Sequence, residues 1–286
     1  MANFEIQDSS LTGLSGKVVF ITGGSSGIGL ATAHTFLALN ARVIVGDLNP
    51  PTEPIANIKY VSCDITNWTS LCSAVQETVS EYGRLDVFVA NAGVGEVEDF
   101  FSEETDPATG ILKAPKHTVV EVNLKGTMNC AKIAVSQMRK QETGGSIVFT
   151  ASTAAYLDER CIPAYTAAKH GVLGLMRAMR STVPKLNITV NIVAPWMTDS
   201  ALLSDYHKGI MASSGVPVNN PQNVGRAIAY LSTGLVNGKA LWTGRNVFTE
   251  MEDAITRLQP EWLGEENTRA WHKANEQDFF HNESGI

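Results

Sequence analysis

Cysteine is scarce and unpatterned. The chain has four, Cys63, Cys72, Cys130 and Cys161. None forms a C-x-x-C pair and none stands at zinc spacing from a histidine, so neither a redox dithiol nor a metal site is expected. They read as small buried thiols in a reducing compartment. Long apolar runs are missing as well. No stretch approaches the roughly 20 residues that cross a bilayer. Met1–Ser10 has no basic segment followed by an apolar one, so no secretory leader is expected and the expected address is cytoplasmic. Positive charge is in deficit, with 22 Lys and Arg against 29 Asp and Glu and a formal net charge of −7. A nucleic-acid partner would want the opposite balance. Repeats and low-complexity tracts are absent too.

What is present is an ordinary core supply, 44% apolar residues in 286. From Gly16 to about Val247 short β-branched runs alternate with longer helical patterns. Strands are expected at Val18–Thr22, Arg42–Asp47, Lys59–Ser62, Val87–Ala90, Ser146–Thr150 and Thr189–Val193. Several are apolar without alternation, as strands covered on both faces of a parallel sheet are. Helices are expected at Ile28–Leu39, Ser70–Tyr82, Thr118–Lys140, Ala164–Val183 and Gln222–Leu231. This rhythm predicts an α/β, doubly wound, Rossmann-like domain over residues 14–249, behind an arm at 1–13 and before an extension at 250–286. The ligand crevice belongs at the carboxyl ends of the strands. Glu96–Lys116, polar and acidic, reads as a loop near that crevice. The extension, with Trp262, Trp271, Phe279 and Phe280 among its charges, is expected to add a helix or two.

The most informative stretch is Thr22-Gly23-Gly24-Ser25-Ser26-Gly27-Ile28-Gly29. It follows an apolar strand and opens a helix. Glycines there let backbone N–H groups approach a pyrophosphate, and a helix amino end adds partial positive charge. Asp47 ends the second strand about 20 residues later, where an acid accepts hydrogen bonds from an adenosine ribose and repels a 2′-phosphate. No base follows it; Leu48-Asn49-Pro50 comes next. The alternative is a plain turn acid. Asp64, in Cys63-Asp64-Ile65, either meets an adenine amino group or caps the next helix. Asn91-Ala92-Gly93 either leaves room for a flat ligand, with Asn91 bracing the glycine turn, or is a plain strand-end turn.

Tyr165 and Lys169 stand four apart at the start of a helical pattern, hence on one face. A phenol titrates near ~10; a lysine cation beside it is expected to lower that value and let it exchange a proton with an alcohol or carbonyl. Ser152, past the fifth strand, places a hydroxyl where it could hold the substrate oxygen. Asn123 is a polar amide inside a helical pattern. It either anchors a water linking Lys169 to solvent or is a satisfied surface residue.

Together these motifs resemble the short-chain dehydrogenase/reductase family from about Leu14 to Val247: Thr-Gly-x-x-x-Gly-x-Gly at Thr22–Gly29, Asn-Ala-Gly at Asn91–Gly93, then Asn123, Ser152, Tyr165 and Lys169 in the family's order. The resemblance implies an NAD-linked oxidoreductase of a secondary alcohol or ketone, with a bulky hydrophobic metabolite as substrate. It makes Tyr165 the acid/base, Lys169 its partner on the nicotinamide ribose, Ser152 the substrate anchor and Asn123 the support of a water relay. The cofactor set it implies is Gly23, Ser25, Ser26, Gly27, Ile28 and Gly29; Asp47 and Leu48; Cys63, Asp64 and Ile65; Asn91, Ala92 and Gly93; and Pro195, Met197, Thr198 and Ser200 besides Tyr165 and Lys169. Within the family the layout is similar to 15-hydroxyprostaglandin dehydrogenase-like members and fungal secondary-metabolism enzymes. Assembly into a homodimer or homotetramer through the helices at 118–140 and 164–183 is implied in the same way. The alternatives are an NADP-linked ketoreductase and a nucleotide-binding scaffold or sensor without turnover. Two departures stand out. Trp196 follows Pro195 where the family has glycine, and either narrows the pocket or packs in the core; a left-handed backbone there would be strained. Arg245-Asn246-Val247 replaces a common Asp-Gly-Gly. Leu202, Leu203, Tyr206, Ile210, Met211 and Val216 suit either a lid or an ordinary amphipathic helix.

Overall fold

The computed structural model describes residues 5–97, 99–200 and 202–276; Phe279 and Phe280 of the expected tail lie outside them. The amino-terminal half runs β1 (Val18–Thr22), α1 (Gly27–Ala38), β2 (Arg42–Asp47), β3 (Ile58–Ser62), α2 (Trp68–Tyr82), β4 (Val87–Ala90), α3 (Thr118–Val120), a π-helical turn (Glu121–Gly126) and α4 (Thr127–Met138). Then come β5 (Gly145–Thr150), α5 (Pro163–Met179), β6 (Ile188–Pro195), α6 (Asp205–Ser213), α7 (Pro221–Leu231), β7 (Ala240–Gly244) and β8 (Val247–Glu250). The tail adds α8 (Glu252–Arg257), α9 (Gln259–Leu263) and α10 (Glu265–Glu276).

The eight strands form one sheet in the order β3-β2-β1-β4-β5-β6-β7-β8. All six expected strands are there and pair in parallel. β7 joins in parallel, and β8 returns antiparallel to it. These last two strands were not among those expected. Gly244 pairs with Val247 across a two-residue turn in which Arg245 and Asn246 have φ of 53° and 58°. That is a type I′ hairpin turn, and it explains how the chain does without the family's glycines there.

Alternate residues of each strand feed two cores. Phe20, Phe88, Ile147 and Phe149 pack with Leu71 of α2, Met138 of α4 and Met176 of α5. Val19, Ile21, Val45 and Val193 pack with Phe36 of α1 and Val224 and Ile228 of α7 on the other face. Each such side chain contributes about 1.5–3 kcal/mol when fully buried. The order reverses between β1 and β4, so the crevice opens at their carboxyl ends, beside Thr22 and Ala90.

Several local expectations are corrected. The helical run from Thr118 passes through a π turn at Asn123. The run from Ala164 stops at Met179, and Val183–Leu186, containing Pro184, is a separate 3-10 turn. Of the set read as either a lid or an amphipathic helix, Met211 is buried on α6, Tyr206 and Ile210 are exposed on it, and Leu202 is exposed ahead of it. Not all thiols are buried: Cys63 and Cys130 are, Cys72 is half-buried and Cys161 is exposed. The amino-terminal segment packs on the sheet through Ile6 and Leu11. The tail is fastened by Glu252, a buried carboxylate that accepts from Arg177 Nε and Nη2 at 2.9 and 2.8 Å, Arg180 Nη1 at 2.7 Å and the Tyr156 hydroxyl at 2.9 Å.

Candidate active site

The glycine turn is built by close approach. Gly23 has φ +64°, and a Cβ on it would lie 2.7 Å from Ala92 Cα. A Cβ on Gly29 would lie 2.0 Å from Gly23 O and 2.7 Å from Asn91 Nδ2. Only glycine fits either place. Asn91 Nδ2 donates to Thr22 O at 3.1 Å and Gly23 O at 3.0 Å, and its Oδ1 accepts from Thr150 Oγ1 at 3.2 Å. The expected brace is therefore present, and it ties β1, β4 and β5 together at their carboxyl ends. Thr22 Oγ1 completes it by accepting from Asn91 N and Ala92 N. At the far end of the turn, Asp47 Oδ2 accepts from Ser25 N at 3.1 Å, and Ser25 Oγ donates to Asn49 O at 2.7 Å. Leu48 is exposed beside them.

Asp64 does not cap α2. Asn67 does, accepting from Ser70 N at 3.1 Å, while Asp64 Oδ1 accepts from Thr66 N and Oγ1 at 2.8 and 2.7 Å. Cys63 and Ile65 are buried on either side of it. After β6, Trp196 stays in the sheet register, donating its N–H to Thr243 O at 2.8 Å, and stacks on Trp242 at 6.4 Å between ring centroids. Its backbone is not left-handed, so the substitution for glycine carries no strain. Asn219, which the motifs did not reveal, staples this loop: its N–H donates to Met197 O, its carbonyl accepts from Asp199 N, and its side chain donates to Thr243 O at 2.8 Å. Thr198 is buried with its hydroxyl on Trp196 O, and Ser200 is half-buried.

Lys169 is 5% exposed and its Nζ donates to Thr150 O at 2.9 Å, 5.4 Å from the centre of the Tyr165 ring. The Ser152 hydroxyl stands close enough to the Tyr165 phenol to favour its ionised form, and Ser152 Oγ accepts from Ala154 N at 3.1 Å. Asn123 is fully buried, not a surface amide; its Oδ1 accepts from Val94 N and its Nδ2 donates to Val94 O, both at 2.8 Å. The side chain thus clamps the segment after β4. A Cβ on Gly93 would lie 3.0 Å from Asn123 Oδ1 and 3.7 Å from Lys169 Nζ. Asn91, Gly93, Asn123, Ser152, Tyr165 and Lys169 therefore gather at the carboxyl ends of the central strands.

The electrostatics correct one expectation. Burial pushes the Tyr165 phenol up, the Ser152 hydroxyl works against that, and the charge of Glu159 adds to it. Burial likewise brings Lys169 down, to about 8. Desolvation of the phenol outweighs what acts against it, and the Lys169 ammonium donates to Thr150 O. A separate groove of about 470 Å³, lined by Arg42, Lys59 and Tyr82 among others, lies at the amino ends of β2 and β3, away from these groups. Among the described residues no helix is long and apolar enough to cross a membrane.

Comparison with known proteins agrees with this geometry. The short chain dehydrogenase family model matches residues 17–210. The short-chain dehydrogenase/reductase prx4 of Penicillium roqueforti is 38% identical, over 94% of this chain and 86% of its own. The 5′-hydroxyaverantin dehydrogenase stcG of Emericella nidulans is 34% identical, over 72% and 74%. The aldohexose dehydrogenase of Thermoplasma acidophilum superposes with a TM-score of 0.69 at 26% identity, over 80% of this chain and 92% of its own. The chain belongs to the short-chain dehydrogenase/reductase family, oxidoreductases that use a nicotinamide cofactor on CH–OH groups.

Proposed function

We propose that the protein transfers hydride between NAD(H) and a secondary alcohol or its ketone on a bulky hydrophobic metabolite. The observation that carries this is the meeting of Ser152, Tyr165 and Lys169 beside a turn that admits no side chain at Gly23 or Gly29. The residues fit a nicotinamide dinucleotide. The amino end of α1 and the Gly23–Gly29 turn would face its pyrophosphate, Asp47 its adenosine ribose, Asp64 its adenine, Lys169 its nicotinamide ribose and the 195–200 loop its amide. When bound, that group accepts or supplies the hydride. The protein's side chains handle the proton. Tyr165 takes it from the alcohol during oxidation and returns it to the carbonyl oxygen during reduction. Ser152 holds that oxygen and steadies the charge that develops on it. Lys169 keeps a positive charge near the phenol.

NAD rather than NADP is favoured by Asp47. Its carboxylate already accepts the Ser25 N–H, and a 2′-phosphate of nearly two negative charges would crowd it. The apolar side chains exposed on the 202–210 segment favour a hydrophobic substrate. The test is a panel of hydrophobic secondary alcohols and ketones assayed with both cofactors. Turnover at least ten-fold faster with NAD(H), abolished in Tyr165→Phe while cofactor binding persists, is expected. Preference for NADPH defeats the reading of Asp47, and full activity in Tyr165→Phe defeats that of the phenol.

A further inference from the structure

The first turn of α5 has no local cap. The residue before it is Ile162, at φ −132° and ψ 57°, and its side chain offers no acceptor. Pro163 fills the first helical position, where a missing N–H is harmless. The N–H of Tyr165, still in that first turn, has no carbonyl within the helix to reach. Glu96 supplies one from 69 residues away: its Oε2 accepts from Tyr165 N at 2.9 Å. A carboxylate there also suits the positive end of the helix dipole.

The reach depends on neighbours already described. Asn123 grips Val94 through both its N–H and its carbonyl, and Glu96 follows two residues later. Gly95, between them, abuts the substrate side of the crevice: a Cβ on it would lie 3.7 Å from Leu202 Cδ2. One segment therefore borders the cofactor's room at Gly93, the 202–210 wall at Gly95 and the catalytic helix at Glu96.

We propose that Glu96 is a positioning residue for Tyr165. By capping α5 at the amide of Tyr165 itself, it fixes the phenol against Ser152 and ties that placement to the segment bordering the substrate. This rests on Tyr165 being the acid/base argued above. Alignment of reacting groups is sensitive to small displacements, so the effect belongs in kcat rather than in cofactor affinity.

The test compares Glu96→Ala, Glu96→Gln and Asn67→Ala. Glu96→Ala should lower kcat roughly ten-fold with the cofactor KM held within about two-fold. Amide exchange in the peptide spanning Tyr165 should quicken in the same variant. Glu96→Gln keeps an oxygen acceptor in place and should recover most of kcat. Asn67→Ala strips a comparable cap from α2, where Asn67 accepts from Ser70 N; it should lower the melting temperature similarly and leave kcat unchanged. The proposal is overturned by unchanged kcat in Glu96→Ala, by equal losses in Glu96→Gln and Glu96→Ala, or by an equal loss in Asn67→Ala. If the wild-type protein turns over nothing in the panel, the function fails separately. Unaltered exchange at Tyr165 in Glu96→Ala would then still overturn the role of Glu96.

Discussion

Lys169 holds an ammonium group where water scarcely reaches, and stability registers it. Its pKa falls from 10.5 to about 8 through burial. Between those values the unfolded chain binds the extra proton, so stability rises with pH across that window, and the full penalty applies below about 8. Lys169→Met removes the penalty. It should abolish turnover yet gain stability at pH 7, by at most about 3 kcal/mol, less whatever Thr150 O loses as its donor goes. Urea unfolding at pH 7 and pH 10 checks this: the advantage of the variant should shrink at the higher pH. A variant less stable than the wild type at pH 7 would show that the hydrogen bond to Thr150 outweighs desolvation. The stability held back at this residue is what an oxidoreductase needs, a charge kept beside a phenol.

At the scale of the elements, Glu252 is a tie between three segments. It links α8 to the end of α5 through Arg177 and Arg180, and to the segment after Ser152 through Tyr156. Burial pushes its carboxyl up, but the hydrogen bonds and charge of Arg177, with Tyr156 and Arg180, more than offset this and leave it low. Its contribution is present above the unfolded value of 4.5 and is lost as pH falls through the lower folded value. The arginine side chains are 38% and 31% exposed, so breaking the cluster costs less than a fully buried pair would. Glu252→Gln should cost about 2–3 kcal/mol at pH 7, with the gap closing in acid, as followed by urea unfolding. No such cluster is legible in a sequence, since Glu252 lies 72 to 96 residues from its partners. Strands such as β1 and β4 were legible because burial on both faces writes them as nearly unbroken apolar runs. β7 and β8 were not, because they flank a turn made by Arg245 and Asn246 rather than glycine. Tyr165 and Lys169 could be paired from helix periodicity alone. Glu96 and Asn219 could not, because each acts on backbone far away in the chain, and neither that distance nor the π turn at Asn123 leaves a local pattern.

At the scale of the whole molecule, the outer surface of the catalytic helix is the feature that calls for a partner. Ala167, His170, Gly174 and Ala178 are exposed along α5, and Met128 is exposed on α4. Small residues let helices approach closely, and a two-fold interface would present this face to its own copy. We therefore expect the homodimer or homotetramer that the family resemblance implies, assembled through α4 and α5. Gly174 gives a clean probe. A Cβ added there meets nothing within 4 Å, and its backbone is not left-handed, so a side chain leaves the protomer undisturbed. Arginine also favours a helix interior over glycine by roughly 0.5–1 kcal/mol. Gly174→Arg should therefore fold at least as well as the wild type while placing a long cation in each half of the interface. Sedimentation velocity should find the wild type at a multiple of 30.8 kDa and the variant shifted toward 30.8 kDa. A wild type that sediments as a single chain at micromolar concentration, or a variant whose assembly is unaltered, would move the interface off α5.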